Sequence, residues 1–392
     1  MYNFEDILNR LNNGSKKWNV DYIKKRFEIE NYNKYFPLFI ADMDFKLPDE
    51  ILNPFLSIVS EGDFGYFDIK ESFYNSVIKW YETKYNCIIK SEWIVPSIGA
   101  IATMNIILEF LFDKGDNILV FTPVYKPFKD IVDNNQLNII QSKLKLEKNT
   151  YNIDFLDLKD KITNLNVKGI ILCNPHNPSG VCWSKKELDN LINICKEREI
   201  FIISDEVHGD LVLDKNNFIS LSSYLDYYRK IIVVSSPNKT FNIAGLNIST
   251  FLCSDITIKL GLENIFSQKK LHPNRLGCEC LTICYDNGYN WVNNLCLNIK
   301  DNIEIVIDML KNSDIQVINP NAGYLLWIRL HKVDDIDKFI LELAKNTGVL
   351  FESGNRFLGD NQSFLRINVA TSKEILKEAI KKFLNFYENY KK

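Results

Sequence analysis

The chain has 392 residues, 46% hydrophobic and 25% charged, which is enough apolar material for a sizeable core and a length that favours two domains. A formal net charge of -3, with Lys and Arg spread along the chain, leaves no basic face for nucleic acid, and no run approaches the roughly 20 apolar residues that span a bilayer. Nine cysteines, mostly inside apolar runs, read as reduced core thiols, and Cys278-Glu279-Cys280 supplies too few ligands for zinc, so no metal is expected.

The opening Met1 to Asp6 lacks the basic and apolar regions of a signal peptide, and a cytoplasmic location is expected. Residues 1–45, with Trp18 and Tyr22, are expected to pack against the C-terminal part of the chain. From about Ser97 to Cys253, apolar strand-like runs alternate with segments of helical spacing. The runs are 118–121, 170–173, 201–204, 231–235 and 249–253, and the clearest helix is 185–199. Such alternation predicts βαβ units and a mostly parallel sheet flanked by helices, in a large domain of residues 46–288. Residues 289–392 change character, with helices at 302–310 and 336–345 and strands at 323–330 and 363–369. A last helix opens at Thr371, with Glu374 at capping-box spacing and Ile375, Leu376, Ala379, Ile380, Phe383 and Leu384 on one face. This is a smaller α/β domain.

Chemistry gathers where the apolar runs stop. Tyr125, Asn177, Asp205 and Lys239 each follow one of them, and in an open α/β sheet groups at the carboxyl ends of parallel strands share one crevice. Lys239 lies in Ser236-Pro237-Asn238-Lys239-Thr240, just past 231–235; by itself it reads equally well as a surface lysine in a polar loop. An amine for an aldehyde and a carboxylate for a pyridinium nitrogen are the minimum equipment of an enzyme using pyridoxal 5'-phosphate (PLP), and Lys239 and Asp205 supply them. Alone, Asp205 reads as a helix N-cap, and Glu206 beside it as structural or solvent-facing. Gly99, Ala100 and Ile101, where a strand turns into an apolar helix, offer backbone amides to the phosphate, and Ser236 offers a hydroxyl. The ring face calls for an aromatic, Tyr125 or its neighbour Phe128. Arg366 lies inside the apolar run 364–368, where it needs either a bidentate substrate carboxylate or an internal salt bridge.

Taken together, Asn174-Pro175-His176-Asn177-Pro178-Ser179-Gly180, Ser204-Asp205-Glu206 and the Lys239 segment, in this order, resemble the fold type I PLP enzymes, the class I/II aminotransferases and their relatives. Within them the chain is most similar to the cystathionine β-lyase, or carbon–sulfur lyase, branch. That branch carries Asp42-Met43-Asp44-Phe45 and Phe64-Gly65-Tyr66 and places His208 three residues after Asp205. The resemblance implies that Asn177 binds the cofactor's phenolic oxygen, that His208 belongs to the cofactor site, that Tyr66 reaches the active site of a second subunit in a homodimer, and that Arg366 clamps the substrate α-carboxylate. Many aminotransferases of this fold carry a phosphate-binding arginine eight residues after the lysine, where this chain has Asn247. That departure leans toward the lyase branch. The expected activity is β-elimination of L-cystathionine or cysteine S-conjugates, with Lys239 and Tyr66 catalytic. An aminotransferase is the first alternative, and a PLP-binding regulatory protein acting through a partner is the second.

Overall fold

The computed structural model describes residues 2–30, 34–214 and 218–390. Its centre is a seven-stranded sheet, with strands in the spatial order Ile94–Ser97, Ser249–Cys253, Ile231–Ser235, Phe201–Asp205, Val167–Cys173, Asn117–Thr122 and Asn138–Lys143. Every pairing is parallel except the two made by Ser249–Cys253, which is antiparallel to both neighbours. Six strands therefore end at the same edge, and the seventh begins there.

Side chains alternate across this sheet as a period of two requires. Leu119, Phe121, Ile170, Leu172, Ile202, Ile231 and Val233 enter one apolar layer, while Ile118, Val120, Ile171, Ile203, Ile232 and Val234 enter the other. Burial on both faces is why the strands read as unbroken apolar runs. The second layer is closed by helices Ala100–Leu111, Pro127–Asn134 and Ile256–Gln268, through residues such as Ile107, Ile131 and Leu262. On the first layer lies helix Lys185–Glu197, which opens with a capping box between Ser184 and Glu187 and buries Leu188, Leu191, Ile192 and Cys195.

Helix Tyr289–Leu310 follows Gly288 and is far longer than the 302–310 stretch expected, because its first turns bury Trp291, Val292 and Leu295 at spacings interrupted by Asn and Cys. Beyond it, an antiparallel sheet runs in the order Ile315–Val317, Leu325–Leu330, Phe364–Asn368 and Glu352–Ser353. The last helix is Lys373–Asn389, and its N-cap is Ser372, whose side chain accepts from Ile375 N; Thr371 is buried one position earlier. The expected cap was thus one residue too early: Thr371 and Ser372 are both competent by residue type, but it is the Ser372 hydroxyl that meets an orphan amide of the first turn. At the other end of the sequence, Phe36–Pro37 pairs in parallel with Val349–Leu350, and Arg26 forms an ion pair with Glu352. All nine cysteines are free and buried. Among the described residues no helix is long and apolar enough to cross a membrane.

Candidate active site

The edge where the strands end forms one wall of a cleft of about 600 Å³, which Arg366 and Glu352 of the antiparallel sheet line on the other side. A wider groove of about 800 Å³ lies between helices Tyr289–Leu310 and Lys373–Asn389, where Lys373 pairs with Asp301 at 3.0 Å, but it gathers none of the expected chemistry.

Lys239 stands in the turn after Ile231–Ser235, half-buried, with Nζ donating to the carbonyl of Ala41 at 2.9 Å. Burial and then the charge of Arg366 lower its pKa to about 8, against the pull of Asp42 and Asp205. Asp205, the last residue of its strand, is 5% exposed, and burial pushes its carboxyl up to about 6, while the N–H of Val207, 3.2 Å from Oδ1, and Lys239 pull it down. A cation facing this acid, such as a protonated ring nitrogen, would hold it ionised. His208 is buried in the same turn, and burial, Lys239 and Arg366 together lower it to about 3, so its ring is neutral. Glu206, by contrast, is buried away from solvent, accepting from Ser204 Oγ at 2.9 Å, Ser220 Oγ at 2.5 Å and Leu221 N at 2.8 Å. It is a structural acid, not a solvent-facing one.

Tyr125 lines the cleft whereas Phe128 is buried in the apolar layer behind it. Opposite, Asn177 follows Val167–Cys173 and accepts through Oδ1 from Arg366 Nη1 at 3.1 Å, leaving its amide nitrogen to donate elsewhere. Arg366, 4% exposed, also donates to Phe39 O at 3.2 Å and lies over the Phe357 ring. Its Nε has no partner, and no carboxylate within ion-pair distance neutralises it among the described residues. Its cross-strand neighbour Glu352 is taken up by Arg26 and Arg356. A buried, unneutralised guanidinium is costly, and an incoming carboxylate relieves that cost.

At the far end, Gly99, Ala100 and Ile101 line the cleft where helix Ala100–Leu111 begins. Gly99 has φ +41, and a Cβ there would lie 2.7 Å from Asn247 Oδ1, so the turn requires glycine. The N–H of Gly99 itself donates to Asn247 O at 3.2 Å, so the amides left for an anion are those of Ala100, Ile101 and, one position further than expected, Ala102. Ser236 is buried beside them with its hydroxyl donating to Ile248 O at 2.6 Å and accepting from Asn238 N at 3.2 Å. This donor end, the amine, the acid and the flat Tyr125 form a set that fits PLP. Asn238 Oδ1, buried without a partner, adds an unused acceptor.

Two contributors were noted in the sequence only through the family resemblance, with no reading that places them in the cleft. Asn247 precedes the single antiparallel strand, which enters the sheet at the edge where the others leave, so the strand-end rule passes over it. The segment 39–44 lies along the cleft, its carbonyls accepting from Arg366 at Phe39, from Asn368 at Ile40 and Asp42, from Lys239 at Ala41 and from Asn242 at Met43. The signal that finds it is the acidic pair Asp42 and Asp44, pinned by Arg10 at 2.7 Å and by the fully buried Lys17 at 2.9 Å. Tyr66 is the one expected site residue outside the cleft, fully exposed on a surface loop with Phe64.

The family model for aminotransferase class I and II matches residues 46–383. Cystathionine beta-lyase PatB of Bacillus subtilis is 28% identical over 385 residues, covering 97% of this chain and 98% of PatB. Cystalysin from Treponema denticola, solved with pyridoxal 5'-phosphate, superposes with a TM-score of 0.92 at 27% identity over the full length of both chains. A PLP-bound protein from Clostridium difficile 630, provisionally titled an aminotransferase, gives 0.91 at 32% identity and covers 99% of this chain and 100% of its own.

Proposed function

The chain belongs to the class I and II aminotransferase family, and from that premise we propose that it is a PLP-dependent carbon–sulfur β-lyase acting on L-cystathionine or related cysteine S-conjugates. The observation that carries the reading is the cleft: one amine near neutrality, one buried acid and one unneutralised guanidinium share it. When bound, the cofactor supplies an electron sink for the bond broken at the substrate Cα. Lys239 would provide the amine that holds the cofactor and, as a free amine, would take the proton from the substrate Cα through Nζ; a pKa near 8 suits a base at neutral pH. Asp205 would keep the ring nitrogen protonated, Asn177 would donate to the phenolic oxygen, and Tyr125 and His208 would belong to the wall that holds the ring. Ala100, Ile101 and Ala102 would donate amides to the phosphate, with Gly99 shaping the turn and Ser236 beside it. Arg366 grips the α-carboxylate in a two-point fork, and the segment 39–44 excludes water from Lys239. Loss of the thiol from Cβ leaves, after hydrolysis, pyruvate and ammonia, with homocysteine as the thiol when cystathionine is the substrate.

In this reading residues 46–288 form the cofactor-binding domain, 289–392 the small domain, and 1–45 a segment joined to the latter. The enzyme is cytoplasmic and works as a homodimer, with Tyr66 reaching into the second subunit's cleft. The likeness to a protein titled an aminotransferase keeps transamination as the second reading, since both reactions begin with proton removal at Cα. Asn247, standing where many aminotransferases carry arginine, favours the lyase. The test is a product assay with cystathionine, cysteine and an aromatic amino acid. Pyruvate and thiol released with no 2-oxo acid present is the expected result; product formed only when a 2-oxo acid is added overturns the lyase assignment.

A further inference from the structure

Asp210 lies five residues beyond Asp205, in the 3-10 turn Gly209–Leu211, and is 2% exposed. Among the described residues its carboxylate meets neutral donors alone: Oδ1 accepts from Trp80 Nε1 at 2.7 Å and from the Tyr85 hydroxyl, and Oδ2 accepts from Thr240 Oγ1 at 2.7 Å. Thr240 is the residue after Lys239 and is fully buried. Three pieces of the molecule thus meet on one side chain: the turn that also carries Asp205 and His208, the loop that carries the lysine, and helix Glu71–Tyr85. The surroundings are stiff. Trp80 stacks on Tyr285 at 4.6 Å, Phe241 stacks on Trp291 at 5.7 Å, and the turn itself is tied down by Glu206 N to Val234 O at 2.8 Å and Gly209 N to Glu206 O at 2.9 Å. Placing a carboxylate in such surroundings is costly unless its oxygens are fully met, so a site that only needed packing would do better with an apolar side chain.

We propose that Asp210 is a positioning residue: through Thr240 it fixes the lysine loop to the turn that bears Asp205, and so sets where Lys239 stands relative to the ring-nitrogen acid. Neither Asp210 nor Thr240 touches the cleft. Their effect passes through the backbone of residues 239–240. The inference rests on Lys239 being the reacting amine.

Thr240→Val removes the donor at nearly constant volume, Thr240→Ser keeps it, and Asp210→Asn weakens the acceptor without emptying the space. In cofactor-loaded protein, Thr240→Val is expected to lower kcat by about tenfold or more with KM for the amino acid changed by less than about threefold, because a small misplacement of a base costs turnover more than binding. The midpoint of the pH titration of the visible absorbance should move upward, since a lysine loop released toward water favours the protonated nitrogen. Thr240→Ser should keep both values within about twofold of the parent. Asp210→Asn should follow Thr240→Val, and it carries the test if the valine variant does not fold. A soluble variant that melts earlier yet keeps the parent kcat and titration midpoint overturns the proposal and leaves Asp210 a fold-stabilising residue. Borohydride trapping separates the two levels: label on a lysine other than Lys239 in the parent removes the premise, whereas label on Lys239 with unaltered variants removes only the positioning role.

Discussion

Burial sets the chemistry of individual residues in this protein, and two adjacent acids show how differently. Asp205 faces the cleft, where a bound cofactor would bring a cation to it; Glu206 faces inward to two hydroxyls and one amide and, among the described residues, meets no cation. Burial raises Glu206 from 4.5 to about 7, with the donors from Ser220, Leu221 and Ser204 pulling the other way. Because the folded value lies above the unfolded one, the contribution of Glu206 to stability is fully present below about pH 4.5 and is lost as pH rises through about 7. A glutamine at this position keeps the shape and has no proton to lose. Glu206→Gln should therefore gain on the parent by on the order of 2 kcal/mol between pH 5 and pH 8. Urea unfolding of both proteins at the two pH values measures it, and a difference that does not change with pH would mean that Glu206 is not the group being titrated.

At the level of elements, the turn 176–180 is shaped by a contact that no motif announces. Gly180 has φ +70, and a Cβ there would lie 2.6 Å from Pro320 Cβ and 2.7 Å from Ala322 O, while its own carbonyl accepts from Asn321 N and Ala322 N at 2.8 and 2.9 Å. The loop carrying Asn177 is thereby seated on residues 320–322, which lead into the strand Leu325–Leu330. Gly180→Ala should cost about 2–4 kcal/mol, from the left-handed backbone and the forced approach together, and should loosen cofactor binding through Asn177. Thermal unfolding and cofactor retention on gel filtration report the two effects, and an unfolding temperature equal to the parent's would show that the turn relaxes freely. The sequence made the strand ends legible because a strand buried on both faces is an unbroken apolar run closed by a polar residue, as at Asp205 and Lys239. It noted Asn247 and Asp42-Met43-Asp44-Phe45 but not their place in the cleft, since one precedes a strand that enters the sheet against the prevailing direction and the other is placed by hydrogen bonds between residues nearly 200 or more apart, such as Lys239 to Ala41.

For the whole molecule, Tyr66 is the residue the chain does not explain by itself. It stands fully exposed, with Phe64 beside it, and lies apart from a cleft that holds every other expected site residue. Large aromatics exposed together on a short loop are poor surface residues and good contact residues. The loop is held from below: Arg275 forms ion pairs with Glu61 and Asp63 at 2.7 and 2.8 Å, and Lys70 pairs with Glu279 at 2.7 Å. It is therefore presented rather than tucked in. If Tyr66 completes the cleft of a second subunit, a two-fold dimer places each tyrosine in the other chain's site. Tyr66→Ala and Lys239→Ala would then each inactivate such a dimer, while a mixed dimer would have one cleft with an intact lysine and an intact partner tyrosine. Co-refolding the two variants with different tags and isolating the doubly tagged species should restore a kcat of about half the parent value per dimer, with the parent KM, since one of two equivalent sites is whole. Doubly tagged dimers that remain as inactive as the separate variants would mean that Tyr66 acts within its own chain, and the composite site would have to be abandoned.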